Sequence, residues 1–284
     1  MGSAEIADFT NLYVIHESSA KGESYAVTAK TLALVLLGVA AVSSTSVAQE
    51  ITIAAAADLS SALTQLATNY QKQTGTKIRL SFGSSGNLTQ QIRNGAPFDL
   101  FLSADEDYPK QLVEAQLAEQ DSVYRYAVGR LVLWVLNSSP LDIEHRGVNA
   151  LIDPAVKKIA IANPQHAPYG RAAVAVLRHF HLYEKVADRL VLGENVSQAA
   201  QFVESGNAQV GLIALSHALA PAMKDMGRYW EVPSNAYPEL DQAAVVISRS
   251  QHKKEATAFL RYLKTPEAQA ILRRYGFTVP EEKR

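Results

Sequence analysis

Cysteine is absent from the sequence. Its absence excludes disulfide staples, thiolate metal centres and a lipid-modified cysteine anchor, and it suits an oxidising compartment in a chain large enough to need no cross-links. An excess of one charge is lacking too. Lysine and arginine number 27 against 28 acids, a formal net charge of −1, so no basic field argues for nucleic acid. Catalytic patterns are equally scarce. The seven histidines are scattered, no serine sits in a nucleophile elbow, and no His–Asp spacing suggests a triad. His179 and His181 stand two apart on a helical stretch and so face different ways, which argues against a metal site. At 284 residues with 48% apolar and 19% charged residues, the chain fits one large globular domain or two smaller ones.

A long apolar run is missing as well. Lys30 precedes the uncharged stretch 31–47, whose apolar core covers only 32–42, too short to span a membrane. Ser46-Val47-Ala48 then supplies small residues where a signal peptidase reads, which predicts a secretory signal peptide cleaved after Ala48. Residues 1–26 form an unusually mixed polar leader, and translation is expected to start further in, near Val27. Leader and signal peptide together occupy 1–48, and the mature protein is expected to be free and soluble.

What is present is organised around Phe82-Gly83-Ser84-Ser85-Gly86-Asn87, a small, hydroxyl-rich turn. The run 77–82 before it reads as a strand and 88–93 after it as a helix. Glycines permit tight geometry, while Ser84 and Ser85 can cap the helix and leave its first N–H groups free to meet an anion. Upstream, 51–56 reads as a buried strand. Asp58 follows, then apolar residues at 59, 62, 63, 66, 67 and 70 on one helical face, closed by Gly75. With a third strand at 99–103 the order is β-α-β-α-β, which predicts a parallel, doubly wound sheet with its ligand at the carboxyl ends of the strands. Strands at 131–136, 158–162, 190–192 and 209–213 form a second set. Each of 158–162 and 190–192 ends in a polar loop that opens a helix, through His181 in one case and over 196–205 in the other. A late strand, 243–247, and helices over 253–264 and 266–275 complete the chain. Hinges are expected near 126–129 and 237–241. That gives lobe I as 49–127 plus 238–284 and lobe II as 128–237, with two sets of loops facing one cleft. Trp134 and Trp230 read as packing residues. His166 is either a lid residue or a solvated loop histidine, and the acids Asp99, Asp105, Glu106 and Asp107, near a strand end, could bind a cation but read better as a solvated loop.

With these residues placed, the mature chain resembles the periplasmic molybdate-binding proteins of ABC importers. The resemblance is carried by Ala54-Ala55-Ala56-Ala57-Asp58-Leu59, by Ser81-Phe82-Gly83-Ser84-Ser85-Gly86 and by the run from Asn94-Gly95-Ala96-Pro97 to Ala104-Asp105. The loop Asn163-Pro164…Pro168-Tyr169-Gly170, then Gly193-Glu194-Asn195-Val196 and Arg274-Tyr275-Gly276-Phe277, add to it. It implies a type II periplasmic-binding fold, α/β, with two lobes, each a mostly parallel doubly wound sheet. It also implies molybdate and tungstate as ligands, a membrane permease and ATPase as partners, a monomer, no cofactor and no enzymatic activity. Carried over by position, the oxyanion donors fall on Asp58, Ser85, Tyr169 and Val196. Tyr169 and Val196 act through main-chain N–H groups, and molybdenum is held as its oxyanion rather than as a cation. A tyrosine hydroxyl that some members use falls here on Ala214 and is absent. The alternatives are another oxyanion, such as sulfate or a protonated phosphate-like ion, or an enzyme on the same scaffold.

Asp58 departs from a neutral donor set. A carboxylate about 5 Å from a dianion costs roughly 6 kcal/mol at an effective dielectric near 20. Either Asp58 caps its own helix and turns its carboxylate away, or a proton is shared between Asp58 and the oxyanion.

Overall fold

A computed structural model of the chain describes residues 50–280; the expected leader and signal peptide, with cleavage after Ala48, lie outside the described residues. The first sheet contains β1 (Glu50–Ala56), β2 (Lys77–Gly83), β3 (Leu100–Leu102), β4 (Tyr124–Gly129) and, from far along the chain, β10 (Leu240–Val246), in the order β2-β1-β3-β10-β4. The second contains β5 (Leu131–Leu136), β6 (Ile159–Ala162), β7 (Leu190–Gly193), β8 (Val210–Ala214) and β9 (Gly227–Glu231), in the order β7-β6-β8-β5-β9. In each sheet β10 or β5 runs against its two neighbours, while the other four strands share one direction. The expected mostly parallel α/β sheets are thus present, each with one reversed strand. That strand is the one that has just crossed from the other lobe. β4 passes into β5 through Arg130 alone, and β9 reaches β10 through 232–239. Because β4 pairs with β10 and β5 with β9, the two crossings run side by side as an antiparallel ribbon. β4 continues to Gly129, two residues past the crossover expected from the sequence.

Seven longer helices cover the sheets: α1 (Ser60–Thr74), α2 (Ser85–Arg93), α3 (Asp107–Glu114), α4 (Pro168–His179), α5 (Val196–Glu204), α6 (Lys253–Leu263) and α7 (Pro266–Arg274). On one face of the first sheet, Leu63 and Leu66 of α1 meet Phe259 and Leu263 of α6 and Leu272 of α7. On the other, Leu88 and Ile92 of α2 and Leu112 of α3 pack on Phe101 and Val245. Helices on both faces make the sheet doubly wound. In the second lobe Leu131 to Val135 are all fully buried, Trp134 among them, as the unbroken apolar run requires. Local signals set the helix ends. Gly75 takes φ +75° and stops α1, and the Thr265 hydroxyl accepts from Ala268 N–H with Pro266 in the first turn of α7.

Three differences from expectation have local causes. α2 starts at Ser85 rather than at 88, because Ser84 caps it by accepting from Asn87 N–H and draws Gly86 and Asn87 into the first turn. β4 and β9 have no apolar run to announce them. The third is α3, which rises directly from the acidic stretch that reads as a solvated loop. Among the described residues no helix is long and apolar enough to cross a membrane.

Candidate functional site

Five chain segments end at one place. β1 runs into a single 3-10 turn, Ala57–Leu59; β2 runs into Ser84 and Ser85; β3 ends before Ala104; β6 and β7 run into α4 and α5. Together they line a small cavity of mostly buried residues, with Asp58, Ser85 and Ala104 on the lobe I side and Pro168, Tyr169, Asn195 and Val196 on the lobe II side. Its volume, as space for the centre of a water-sized sphere, is about 10 Å³, so the walls stand close. The four residues expected as oxyanion donors are therefore brought to one cavity.

Three helix N-termini point at the cavity, and no base lines it. Ser85, Tyr169 and Val196 are in the first turns of α2, α4 and α5, where N–H groups have no carbonyl one turn back. Among the described residues none of the three N–H groups meets a backbone carbonyl. Each helix N-terminus is equivalent to roughly +0.5 charge, so three supply about +1.5. No lysine or arginine lines the space. The Ser85 hydroxyl accepts from Ala104 N–H at 3.0 Å, which leaves its own proton to donate inward. Asn195 caps α5 by accepting from Gln198 N–H. Such a wall binds an anion by preorganised neutral donors.

Asp58 does not cap a helix. α1 begins two residues later with Leu59 at its cap position and no side-chain cap bond, because the intervening 3-10 turn carries Asp58 away from the free N–H groups of α1. Its carboxylate is instead buried. Oδ2 accepts from Gln242 Nε2 of β10 at 2.5 Å, and Oδ1 has no hydrogen-bond partner among the described residues. Burial raises the Asp58 pKa to about 6, with the Gln242 amide and the nearby Tyr169 hydroxyl offsetting part of the rise. Gln242 is held in turn: its Oε1 lies 2.8 Å from the Tyr126 hydroxyl, which is also within reach of the Ser103 carbonyl. Sequence reasoning missed Gln242 and Tyr126, which no turn or motif marks. The only signal is a glutamine inside a strand whose neighbours 243–246 are all apolar.

The lobes touch around the cavity through hydrogen bonds that span the cleft. Gly86 N–H donates to His166 O at 2.9 Å, and His166 Nδ1 lies 2.8 Å from Ser84 Oγ, so His166 is half-buried and bonds across the cleft. From lobe II the Ser216 hydroxyl donates to Asp58 O at 2.7 Å. Ser197 Oγ stands 3.2 Å from Ala57 O and 2.6 Å from His217 Nε2. Two hydroxyls thus hold the carbonyls of the 3-10 turn. Ala214, buried at the end of β8, brings no side-chain donor; the polar contact from this segment comes two residues later, at Ser216. Asp105 is likewise no solvated acid, since Arg171 of α4 reaches across to it and to the Tyr108 hydroxyl. Asp99 is buried and accepts from Thr52 N–H and Ser250 Oγ. The Arg171–Asp105 pair keeps its guanidinium side half exposed, so it contributes at most about 1 kcal/mol to closure. Arg171→Ala is expected to weaken ligand affinity roughly threefold and to flatten its salt dependence, as read by titration at low and high ionic strength.

Comparison with known proteins agrees with this geometry. A family model described as bacterial extracellular solute-binding protein matches residues 51–278. The molybdate-binding protein ModA of Azotobacter vinelandii is 37% identical over 86% of this chain and 96% of the relative, and that of Rhodobacter capsulatus is 38% identical over 81% and 88%. The solved Azotobacter vinelandii periplasmic molybdate-binding protein superposes with a TM-score of 0.77, covering 81% of this chain and all of that one. The sulfate-binding protein SubI of Mycobacterium tuberculosis, 17% identical with a TM-score of 0.66, shares the fold. With two α/β lobes, a cleft at their strand ends and a match along nearly all the described residues, the chain belongs to the bacterial extracellular solute-binding protein family.

Proposed function

We propose that this chain captures molybdate, and tungstate with it, in the periplasm and delivers the ion to the permease and ATPase of an ABC transporter. Asp58, Ser85, Tyr169 and Val196 contact the oxyanion, and the protein works as a monomer, without a cofactor, after its signal peptide is removed behind Ala48. Lobe I (49–127 plus 238–284) and lobe II (128–237) close on the ion, and the transporter reads the closed shape. The observation that carries this reading is the convergence of three helix N-termini on one small cavity that no lysine or arginine lines. The relatives named as molybdate-binding proteins, one of them with a solved structure that superposes on this chain, add support.

A thermal-shift titration with molybdate, tungstate, sulfate and phosphate tests it. Molybdate and tungstate are expected to stabilise the protein by about 4 kcal/mol at a thousandfold excess over Kd, with sulfate and phosphate far behind. A shift from sulfate or phosphate alone would move the assignment to that ion, and no shift from any of the four would remove the oxyanion reading. Ser85→Ala is expected to weaken molybdate binding about tenfold, the loss of one hydroxyl donor to a charged acceptor.

A further inference from the structure

The Asp58 carboxyl is the one acid in the cavity wall, and half of its hydrogen-bonding capacity is unused. Oδ2 accepts from Gln242, whose own amide oxygen is fixed by Tyr126, so the carboxyl cannot rotate without breaking a buried chain of bonds. Oδ1 is buried and has no partner among the described residues. The Ser85 hydroxyl and the first N–H groups of α2, α4 and α5 are donors on the same wall. A dianion arriving there meets three helix N-termini that attract it and one carboxylate that repels it, unless that carboxylate holds a proton. We propose that Asp58 makes capture of the oxyanion proton-coupled: one proton is taken from solvent on binding, held between Oδ1 and a ligand oxygen, and returned on release. This rests on the oxyanion reading of the site and adds a residue that sets its pH response.

Tyr126, Tyr169, His217 and Asp105 stand around Asp58, and His166 bonds Ser84 of the cavity wall. Tyr126 from β4 and Tyr169 from α4 are both pushed well above the ordinary phenol range by burial and by Asp58 itself. His217, in the short helix after β8, is pushed down to about 4 by burial and is neutral at working pH. Asp105, in the loop after β3, is raised by burial, with the Tyr108 N–H and Arg171 pulling it back. The exchange balances simply: an O–H bond forms at Oδ1 as the dianion enters, and water or buffer supplies the proton.

Isothermal titration of the protein with sodium molybdate and sodium tungstate, in two buffers of different ionisation enthalpy at pH 7.5, measures the proton number directly. Close to one proton is expected to be taken up per ion, and Kd is expected to rise about tenfold per pH unit from pH 7 to 8.5. In Asp58→Asn, whose amide donates without a proton, uptake falls to near zero and Kd becomes flat with pH, so that the variant overtakes the wild type at pH 8.5. Ser85→Ala binds more weakly but still takes up one proton. Binding without proton uptake in the wild type, or uptake that survives in Asp58→Asn, overturns the proposal while leaving the oxyanion reading intact. Failure of both ions to bind at any pH removes that reading, and the proposal with it.

Discussion

Gly86→Ala is expected to cost at least a hundredfold in oxyanion affinity, about 2.7 kcal/mol, while leaving the ligand-free protein as stable as before. A Cβ on Gly86 would lie 2.8 Å from the His166 carbonyl and 2.8 Å from its Cβ, with the Tyr108 hydroxyl at 2.6 Å. The tyrosine tip can swing aside. His166 is backbone of the other lobe and sits in the loop that opens α4, so it moves only if lobe II moves. The methyl group therefore props the cleft open by several tenths of an ångström and lengthens the Gly86 N–H to His166 O bond. It also draws the Tyr169 N–H away from the ion. Within its own lobe the change is benign, since Gly86 lies in the first turn of α2 and alanine is the better helix former by about 1 kcal/mol. Paired melting curves with and without molybdate separate the two effects. Wild-type affinity in the variant would mean that capture does not need this degree of closure.

The second large effect is on stability. The Asp58 pKa rises from 3.8 unfolded to about 6 folded, so between those values the native state holds more proton than the unfolded one. Stability from this group is complete below about pH 4 and is lost as pH climbs through 6. Near neutrality the loss is about 3 kcal/mol. Asp58→Asn should therefore stabilise the ligand-free protein by up to about 3 kcal/mol at pH 7.5, roughly 6–12 °C in Tm for a chain of this size, and by nothing at pH 4. His217 works in the opposite sense. Burial lowers it from 6.5 to about 4, so its share is present above 6.5 and lost as pH falls through 4, again about 3 kcal/mol. Between pH 4 and 6 the two slopes nearly cancel. Removing Asp58 unmasks the histidine, and the variant's stability should climb with pH where these two groups leave the wild type flat. Denaturant midpoints at unit steps from pH 4 to 8 check this, and a variant no more stable than wild type at pH 7.5 would contradict it.

How much was legible in the chain follows from which residues spoke locally. Apolar runs such as 131–136 and 51–56 announce buried strands, Gly75 announces a helix stop, and Ser84 announces a helix start. Four of the residues that line the cavity, Asp58, Ser85, Tyr169 and Val196, could be placed because each stands at a strand end that a local pattern marks. β4 and β9 were not legible, since Tyr124-Arg125-Tyr126 and Arg228-Tyr229-Trp230 mix charge with aromatic rings on strands at the edges of their sheets. Arg125 pairs with Asp241 of β10, a partner more than a hundred residues away. The state of Asp58 was illegible for the same reason: its environment is made by Gln242, Tyr126 and Tyr169, none of which is its neighbour in sequence.

The position of β10 bears on how the molecule comes into being. It lies inside the first sheet, between β3 and β4, yet it begins at residue 240. Lobe I therefore cannot close its sheet, or cover one face with α6 and α7, until nearly the whole chain is available. Lobe II is contiguous and has all its strands by residue 231. Non-local pairing of this kind is slow to form, so the contiguous lobe is expected to fold before the one that the chain builds from both of its ends.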